Sequence, residues 1–288
     1  MLFKDWNVLI TGGSSGIGLE LSRLLASSGA SVSIFSRSSP RLEKALELIR
    51  EDSRRQHYIF PTDVSKPEQV ITNVEKVVGN TGTPDLVINS AGVVHPGYAQ
   101  ELDLKIYHWM MDVNYFGAVN VTKAVLPGML ERGTGHIVNI ASMMAVLGIA
   151  GYTAYAASKF ALRGFSDALR MELKPHGINV SMVYPADTDT PQLQYENKYK
   201  PETYKKFLEF VPATDPVPPG KVARQILEGI ERNQEVIIPD VGMRLIFKLN
   251  NILGNGVYPV LDWLNKRAIK QIGSTPAESD RNANNEKI

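Results

Sequence analysis

The chain has no cysteine, which excludes disulfides, thiolate nucleophiles and cysteine-bound metals. Its five histidines are scattered without ligand spacing, so no metal site is expected. It also lacks an excess of charge. Thirty-one Lys and Arg against 30 Asp and Glu leave +1, which gives no reason to expect a nucleic-acid partner. No stretch of about 18 uninterrupted apolar residues offers a spanning helix. No charged segment followed by a long apolar run precedes the first strand pattern, so no signal peptide is expected. There is no internal repeat. A cytoplasmic protein is the default expectation.

What remains is an ordinary globular composition, 43% hydrophobic and 21% charged over 288 residues, long enough to bury a large core without staples. Short apolar runs alternate with longer helical patterns, as in βαβ units around a parallel sheet. Strands are expected at 7–10, 31–35, 58–61, 86–89, 136–140, 179–184 and 235–238, with intervening helices such as 19–28, 42–53 and 66–78. Several strands are apolar throughout, as strands covered on both faces must be. Residues 187–219 break the pattern with Pro, Asp, Thr, Tyr and Lys and read as a functional lid. A C-terminal amphipathic helical segment is expected at 241–272. Residues 274–288 are polar and Asn-rich, and a disordered tail is expected there. One catalytic domain, 1–273, accommodates the rest.

The first strand runs into Thr11-Gly12-Gly13-Ser14-Ser15-Gly16-Ile17-Gly18 and then a helix. Backbone N–H groups and the dipole of a helix N-terminus attract phosphate there, and glycines allow the close approach. The alternative, a bare connecting turn, fits poorly with its place after the first strand of an alternating chain. The spacing Gly-x-x-x-Gly-x-Gly resembles the cofactor turn of the short-chain dehydrogenase/reductase family, and the resemblance extends over roughly residues 5–239. It implies a Rossmann-type, doubly wound α/β fold with a mostly seven-stranded parallel sheet and helices on both faces. It also implies an oxidoreductase acting on CH–OH or C=O groups, commonly assembled as a homo-oligomer.

The second strand ends in Ser36-Arg37-Ser38, where an NAD enzyme usually carries a carboxylate for the ribose 2′-hydroxyl. A neutral Ser36 beside Arg37, with Arg41 nearby, suits a 2′-phosphate and points to NADP(H). Two further segments match the family's cofactor contacts: Asp63-Val64 after the third strand, and Asn89-Ser90-Ala91-Gly92 after the fourth.

The reacting groups follow the fifth strand. Tyr155 and Lys159 lie four residues apart and share a helix face. Carbonyl reduction needs a proton donor, and a cation about 4 Å from a phenol favours its ionised form by about 4 kcal/mol at an effective dielectric near 20. Tyr152 has no such partner, because Ala156 stands four residues on. Ser142 stands at the family's spacing ahead of Tyr155 and would hydrogen-bond the carbonyl oxygen. Asn114 matches the family's fourth catalytic residue, which kinks a helix and holds water in a relay to the lysine. Both Tyr155 and Lys159 also count among the family's cofactor contacts.

The run Pro185-Ala186-Asp187-Thr188-Asp189-Thr190-Pro191, with Glu196-Asn197 and Lys200-Pro201-Glu202-Thr203 beyond it, resembles one subgroup, the 3-ketodihydrosphingosine reductases. These reduce a long-chain 2-amino-3-keto lipid with NADPH in sphingolipid synthesis. The resemblance implies that Thr188 and Thr190 cover the nicotinamide carboxamide, next to Pro185. Ala186 departs from the family's usual Pro-Gly, and no membrane anchor of the kind some animal relatives carry is expected before the first strand. Between Met243 and Gln271 five basic residues (Arg244, Lys248, Lys266, Arg267, Lys270) face one acid, Asp262. Such a helix can lie in a lipid interface, on the cytoplasmic side of a membrane, or serve as a flap or dimer contact. The competing functions are a reductase for a hydroxysteroid or a 3-oxoacyl thioester, and a non-catalytic NADP-binding sensor.

Overall fold

The computed structural model describes residues 3–210 and 215–273; the expected tail at 274–288 lies outside the described residues. Seven strands, β1 (Asn7–Thr11), β2 (Ser31–Ser36), β3 (Tyr58–Pro61), β4 (Leu86–Asn89), β5 (Gly135–Ile140), β6 (Ile178–Val183) and β7 (Val236–Ile237), form one sheet in the order β3-β2-β1-β4-β5-β6-β7. Every pairing is parallel. The expected strands therefore form at their expected places, with no end shifted by more than one residue.

The helices are α1 (Gly16–Ser27), α2 (Ser39–Asp52), α3 (Pro67–Thr81), α4 (Leu104–Met111), α5 (Gly117–Arg132), α6 (Thr153–Leu173), α7 (Pro191–Tyr199), α8 (Glu202–Leu208), α9 (Pro219–Glu231), α10 (Val241–Leu253) and α11 (Tyr258–Ile272). The sheet is apolar on both faces because its strand residues alternate between two cores. Val8 and Ile10 of β1 pack with Leu21, Leu42 and Ile226 of α1, α2 and α9. Leu9, between them, packs on the other side with Val74, Val125 and Leu169 of α3, α5 and α6. Each such side chain contributes about 1.5–3 kcal/mol relative to exposure.

The segment read as a lid contains two short helices. Pro191 pre-sets the first turn of α7, whose N-cap is Thr190, the side chain accepting from Leu193 N at 3.3 Å. The C-terminal segment is likewise two helices, α10 and α11, joined by a single 3₁₀ turn at Gly254–Val257. Ala268 of α11 is fully buried against Tyr204 and Phe207 of α8.

One buried polar relay fastens the last three strands. His136 Nε2 of β5 meets Ser181 Oγ of β6 at 2.7 Å, and that hydroxyl donates to Gln234 O at 2.6 Å, just ahead of β7. Burial pushes His136 down to about 4. The unfolded chain therefore takes up a proton near 6.5 that the folded chain refuses until about 4. Stability should fall as pH drops through that window, by up to about 1.4 kcal/mol per pH unit from this residue. Urea midpoints of wild type and His136→Gln between pH 7 and 4.5 check this: the variant should show the shallower dependence, and parallel curves would refute it.

Candidate active site

Strand order reverses between β1 and β4, and the crevice at their carboxyl ends is where an open parallel sheet binds ligands. The glycine-rich turn occupies it. Gly12 has a φ of +67°, and a β-carbon there would stand 2.8 Å from Ala91 N. A β-carbon on Gly18 would stand 2.5 Å from Gly12 O. Glycine is thus required for the turn to lie against both the β4 loop and α1. Thr11 ties the two loops, its hydroxyl oxygen accepting from Ser90 N at 3.1 Å and Ala91 N at 3.0 Å.

Two adjoining hollows open from this crevice. The smaller, about 150 Å³, is bordered by Gly12, Ser14, Ser15, Ser36, Arg37, Arg41, Asp63, Val64, Ala91 and Gly92. Ser14 Oγ donates to Ser36 Oγ at 2.8 Å, joining the glycine turn to the end of β2. The larger, about 470 Å³, is bordered by Gly16, Ile17 and Gly18 at one end and by Ser142, Tyr155, Lys159, Pro185, Thr188 and Thr190 further in. Thr190 leans on the glycine turn so closely that a β-carbon on Gly16 would meet its methyl group at 2.9 Å. Thr188 Oγ1 donates to Ala186 O at 2.9 Å.

Asn89 is placed differently. It is buried within the sheet, its amide donating to Asn139 Oδ1 at 2.8 Å, and it borders neither hollow. Asn139 in turn donates to Ser166 Oγ of α6 at 2.8 Å, so Asn89 braces β4, β5 and α6 behind the site.

α6 crosses the sheet from the site to the far core, where Leu169 and Leu173 anchor it. Its first turns carry Tyr155 and Lys159 on one face. Lys159 Nζ lies 5.6 Å from the Tyr155 ring centroid and donates to Ile140 O, the end of β5, at 3.1 Å. Burial pushes Lys159 down to about 8. Burial also pushes the Tyr155 phenol up, with the negative field of Glu196 adding to it and a hydrogen bond with Ser142 opposing it. Desolvation is the largest influence on the Tyr155 phenol and favours its protonated form. That is the form a proton donor must have.

Ser142 caps the short 3₁₀ turn Met143–Ala145, accepting from Met144 N at 3.2 Å. Asn114 lies in a π-helical turn, Asp112–Phe116, between α4 and α5. Its Oδ1 accepts from Val93 N at 2.7 Å, and its amide donates to Val93 O and to Ser158 Oγ, each at 2.9 Å. Ser158 Oγ donates to Tyr155 O at 2.7 Å. The π-turn interrupts the helical run at Asn114, whose side chain ties the loop after β4 to the turn that carries Tyr155. A β-carbon on Gly92 would stand 3.4 Å from Asn114 Oδ1 and 3.6 Å from Lys159 Nζ, so the three positions converge.

The walls of the larger hollow are what the sequence did not disclose. Met143, Met144, Leu147 and Ile149 come from the loop after β5, Phe207 and Leu208 from α8, and Met243, Ile246, Leu261 and Leu264 from α10 and α11. Tyr152, which lacks a lysine partner, borders the hollow and donates to Glu196 Oε1 at 2.5 Å. No local signal says that these residues share a cavity.

Residues 6–201 match the family described as short chain dehydrogenase. A 3-ketodihydrosphingosine reductase of Dictyostelium discoideum is 38% identical over 259 residues, covering 84% of this chain and 77% of its own length. A protein of the same name in Mus musculus is 37% identical over 226 residues, covering 77% of this chain and 67% of its own length. Among solved structures, levodione reductase superposes with a TM-score of 0.77 at 27% identity, over 84% of this chain and 98% of its own. NAD+-bound xylitol dehydrogenase, at 24% identity and a TM-score of 0.74 over 83% and 98%, shares the fold. A nicotinamide dinucleotide is the cofactor and a small molecule the substrate. By its sheet order, its glycine turn and its match across two thirds of its length, this chain belongs to the short-chain dehydrogenase/reductase family of oxidoreductases.

Proposed function

We propose that the chain reduces the ketone of a long-chain 2-amino-3-keto lipid, 3-ketodihydrosphingosine, to its alcohol, with NADPH as the reductant. The observation that carries the reading is the larger hollow. It joins Tyr155, Lys159 and Ser142 to a deep apolar wall built by α8, α10 and α11, and so suits a reacting head with a long hydrocarbon chain. The names of the relatives point to the same substrate.

The chain's own residues account for binding and proton delivery. Gly12 to Gly18 and the α1 N-terminus would hold the pyrophosphate, Asp63 and Val64 the adenine side, and Pro185, Thr188 and Thr190 the nicotinamide end. When bound, the dinucleotide supplies the hydride. Ser142 hydrogen-bonds the carbonyl oxygen as it gains charge, and Tyr155 gives it a proton. Lys159, close to the ring, stabilises the phenolate left behind. Asn114 holds the first turns of α6 in place.

Ser36, Arg37 and Arg41 border the smaller hollow, with a neutral hydroxyl where a carboxylate would repel a 2′-phosphate. This supports NADPH over NADH. The homo-oligomer expected of the family would use the outer side of α6, where Phe160 and Met171 are exposed.

No described helix is long and apolar enough to cross a membrane. α10 and α11 nevertheless have two apolar sides. Met243, Ile246, Leu261 and Leu264 face the hollow, while Val241, Leu245, Leu249, Ile252, Tyr258 and Trp263 are exposed. Lys248, Lys266 and Lys270 are exposed beside them. We read this outer side as a lipid contact that sets the entrance of the hollow at an anionic membrane surface.

Three experiments test these readings. NADPH consumption with 3-ketodihydrosphingosine should exceed that with a hydroxysteroid ketone or a 3-oxoacyl thioester, and Tyr155→Phe should abolish it while NADPH still binds. Consumption of none of the three by a chain that binds NADPH would favour the sensor. Arg37→Asp should raise the Michaelis constant for NADPH about tenfold or more and leave that for NADH nearly unchanged; equal changes would contradict the cofactor assignment. Flotation with vesicles should show binding that needs anionic lipid and falls about tenfold in the Leu245→Asp, Trp263→Asp double variant. Binding unaffected by the two changes would remove the membrane reading.

A further inference from the structure

The larger hollow is mostly apolar, yet it holds one ionic network that proton delivery by Tyr155 does not use. Glu196 of α7 borders it with 13% of its side chain exposed, and Lys200, one turn on, is 5% exposed. Lys200 Nζ stands 3.3 Å from Glu196 Oε1 and 3.2 Å from Asp187 Oδ2. The Tyr152 hydroxyl donates to the same Glu196 Oε1 at 2.5 Å. Tyr204 completes the group, its ring centroid 4.7 Å from that of Tyr152 and 5.6 Å from Lys200 Nζ. Both contacts to Glu196 fall on Oε1, and neither falls on Oε2.

The charges do not cancel. Two carboxylates, Asp187 and Glu196, share one ammonium, so the network carries one negative charge beside an apolar cavity. A structural ion pair holding α7 in place needs only one of each sign, and of the two carboxylates Glu196, 13% exposed against 47% for Asp187, is the one whose charge is costly to leave uncompensated. Burial pushes Glu196 above the usual carboxylate range, and Lys200 and Tyr152 only partly pull it back. The surplus charge lies one ring away from the reacting phenol, since the centroids of Tyr152 and Tyr155 are 6.3 Å apart. The field of Glu196 is felt at the Tyr155 phenol itself.

Resting on the substrate reading above, we propose that Glu196, supported by Asp187, binds the ammonium group that neighbours the substrate's ketone. The amine would then compensate the surplus charge and fix which carbonyl meets Tyr155. Tyr152 and Lys200 act as positioning residues that hold one carboxylate oxygen and leave the other for the ligand. Among the ketones weighed, only the amino lipid carries a cation next to the reacting carbon, so this contact would select it over a steroid or a thioester. A charge-assisted hydrogen bond supplies discrimination of about 10- to 100-fold.

The test compares the NADP-bound protein with dihydrosphingosine and with the alcohol of equal length that lacks the amine, by calorimetry. The corresponding pair of ketones is compared with NADPH by kcat/KM. Wild type should prefer the amine-bearing member of each pair, and Glu196→Gln should reduce that preference about 10- to 100-fold. Asp187→Asn, at a half-exposed position, should reduce it several-fold and serves where Glu196→Gln does not fold. A wild type without the preference, or variants that retain it, overturns the proposal. Amine binding that depends on Glu196 in a protein that reduces no amino ketone would leave this inference standing and remove the substrate reading. Reduction of the amino ketone with a preference unchanged in the variants would do the reverse.

Discussion

The site is organised around one ammonium held almost out of water. Lys159 is 4% exposed, and its one recorded hydrogen bond goes to the carbonyl that ends β5. A buried cation tends to lose its proton unless nearby groups favour the charge, and the fall of Lys159 to about 8 records that pressure. The arrangement therefore depends on every element that brings polar groups to this spot. β5 supplies the carbonyl, Asn114 and Ser158 brace the helix turn, and the bend between α4 and α5 brings Asn114 within reach. The parallel sheet has its ligand crevice at the carboxyl ends of its strands, and the two apolar cores keep those ends in register.

The same low-dielectric setting explains why the Tyr155 phenol rises rather than falls. Desolvation penalises the phenolate, and the negative fields of Glu196 and Asp187 add to it. For reduction this is the useful direction, because the acid must arrive protonated and give up its proton only when the carbonyl oxygen has gained charge. In the proposed mechanism Lys159 then serves the phenolate after the transfer more than the phenol before it.

Much of this was legible in the sequence because it is local. Strand positions follow from short apolar runs, the glycine turn from a contiguous octet, and the Tyr155–Lys159 pair from helical spacing. What escaped depends on contacts between distant segments. Asn89 reads as a cofactor contact by its motif, and nothing local shows that its Nδ2 donates to Asn139, fifty residues away. Tyr152 looks inert when judged by its own helix, because its partner Glu196 lies forty-four residues on. The segment 187–219 reads as an irregular excursion because α7 and α8 are short and polar outside, and the packing of α8 against α11 has no counterpart in local pattern.

This division separates reaction from selection. The reacting groups sit on α6 and at the end of β5, elements locked into the sheet by core contacts on both sides. The walls that judge a substrate come from the loop after β5, the helices after β6 and the C-terminal pair, which meet only above the sheet. A change at Leu264 or Phe207 would reshape the hollow right beside Tyr155, with which both share a cluster, while Leu169 and Leu173 still hold the far end of α6 on the sheet. α10 and α11 carry this furthest: one side of the pair shapes the hollow and the other is exposed and apolar. On the membrane reading proposed above, a surface covering the outer side would also steady the inner one, coupling substrate entry to surface binding through the same two helices.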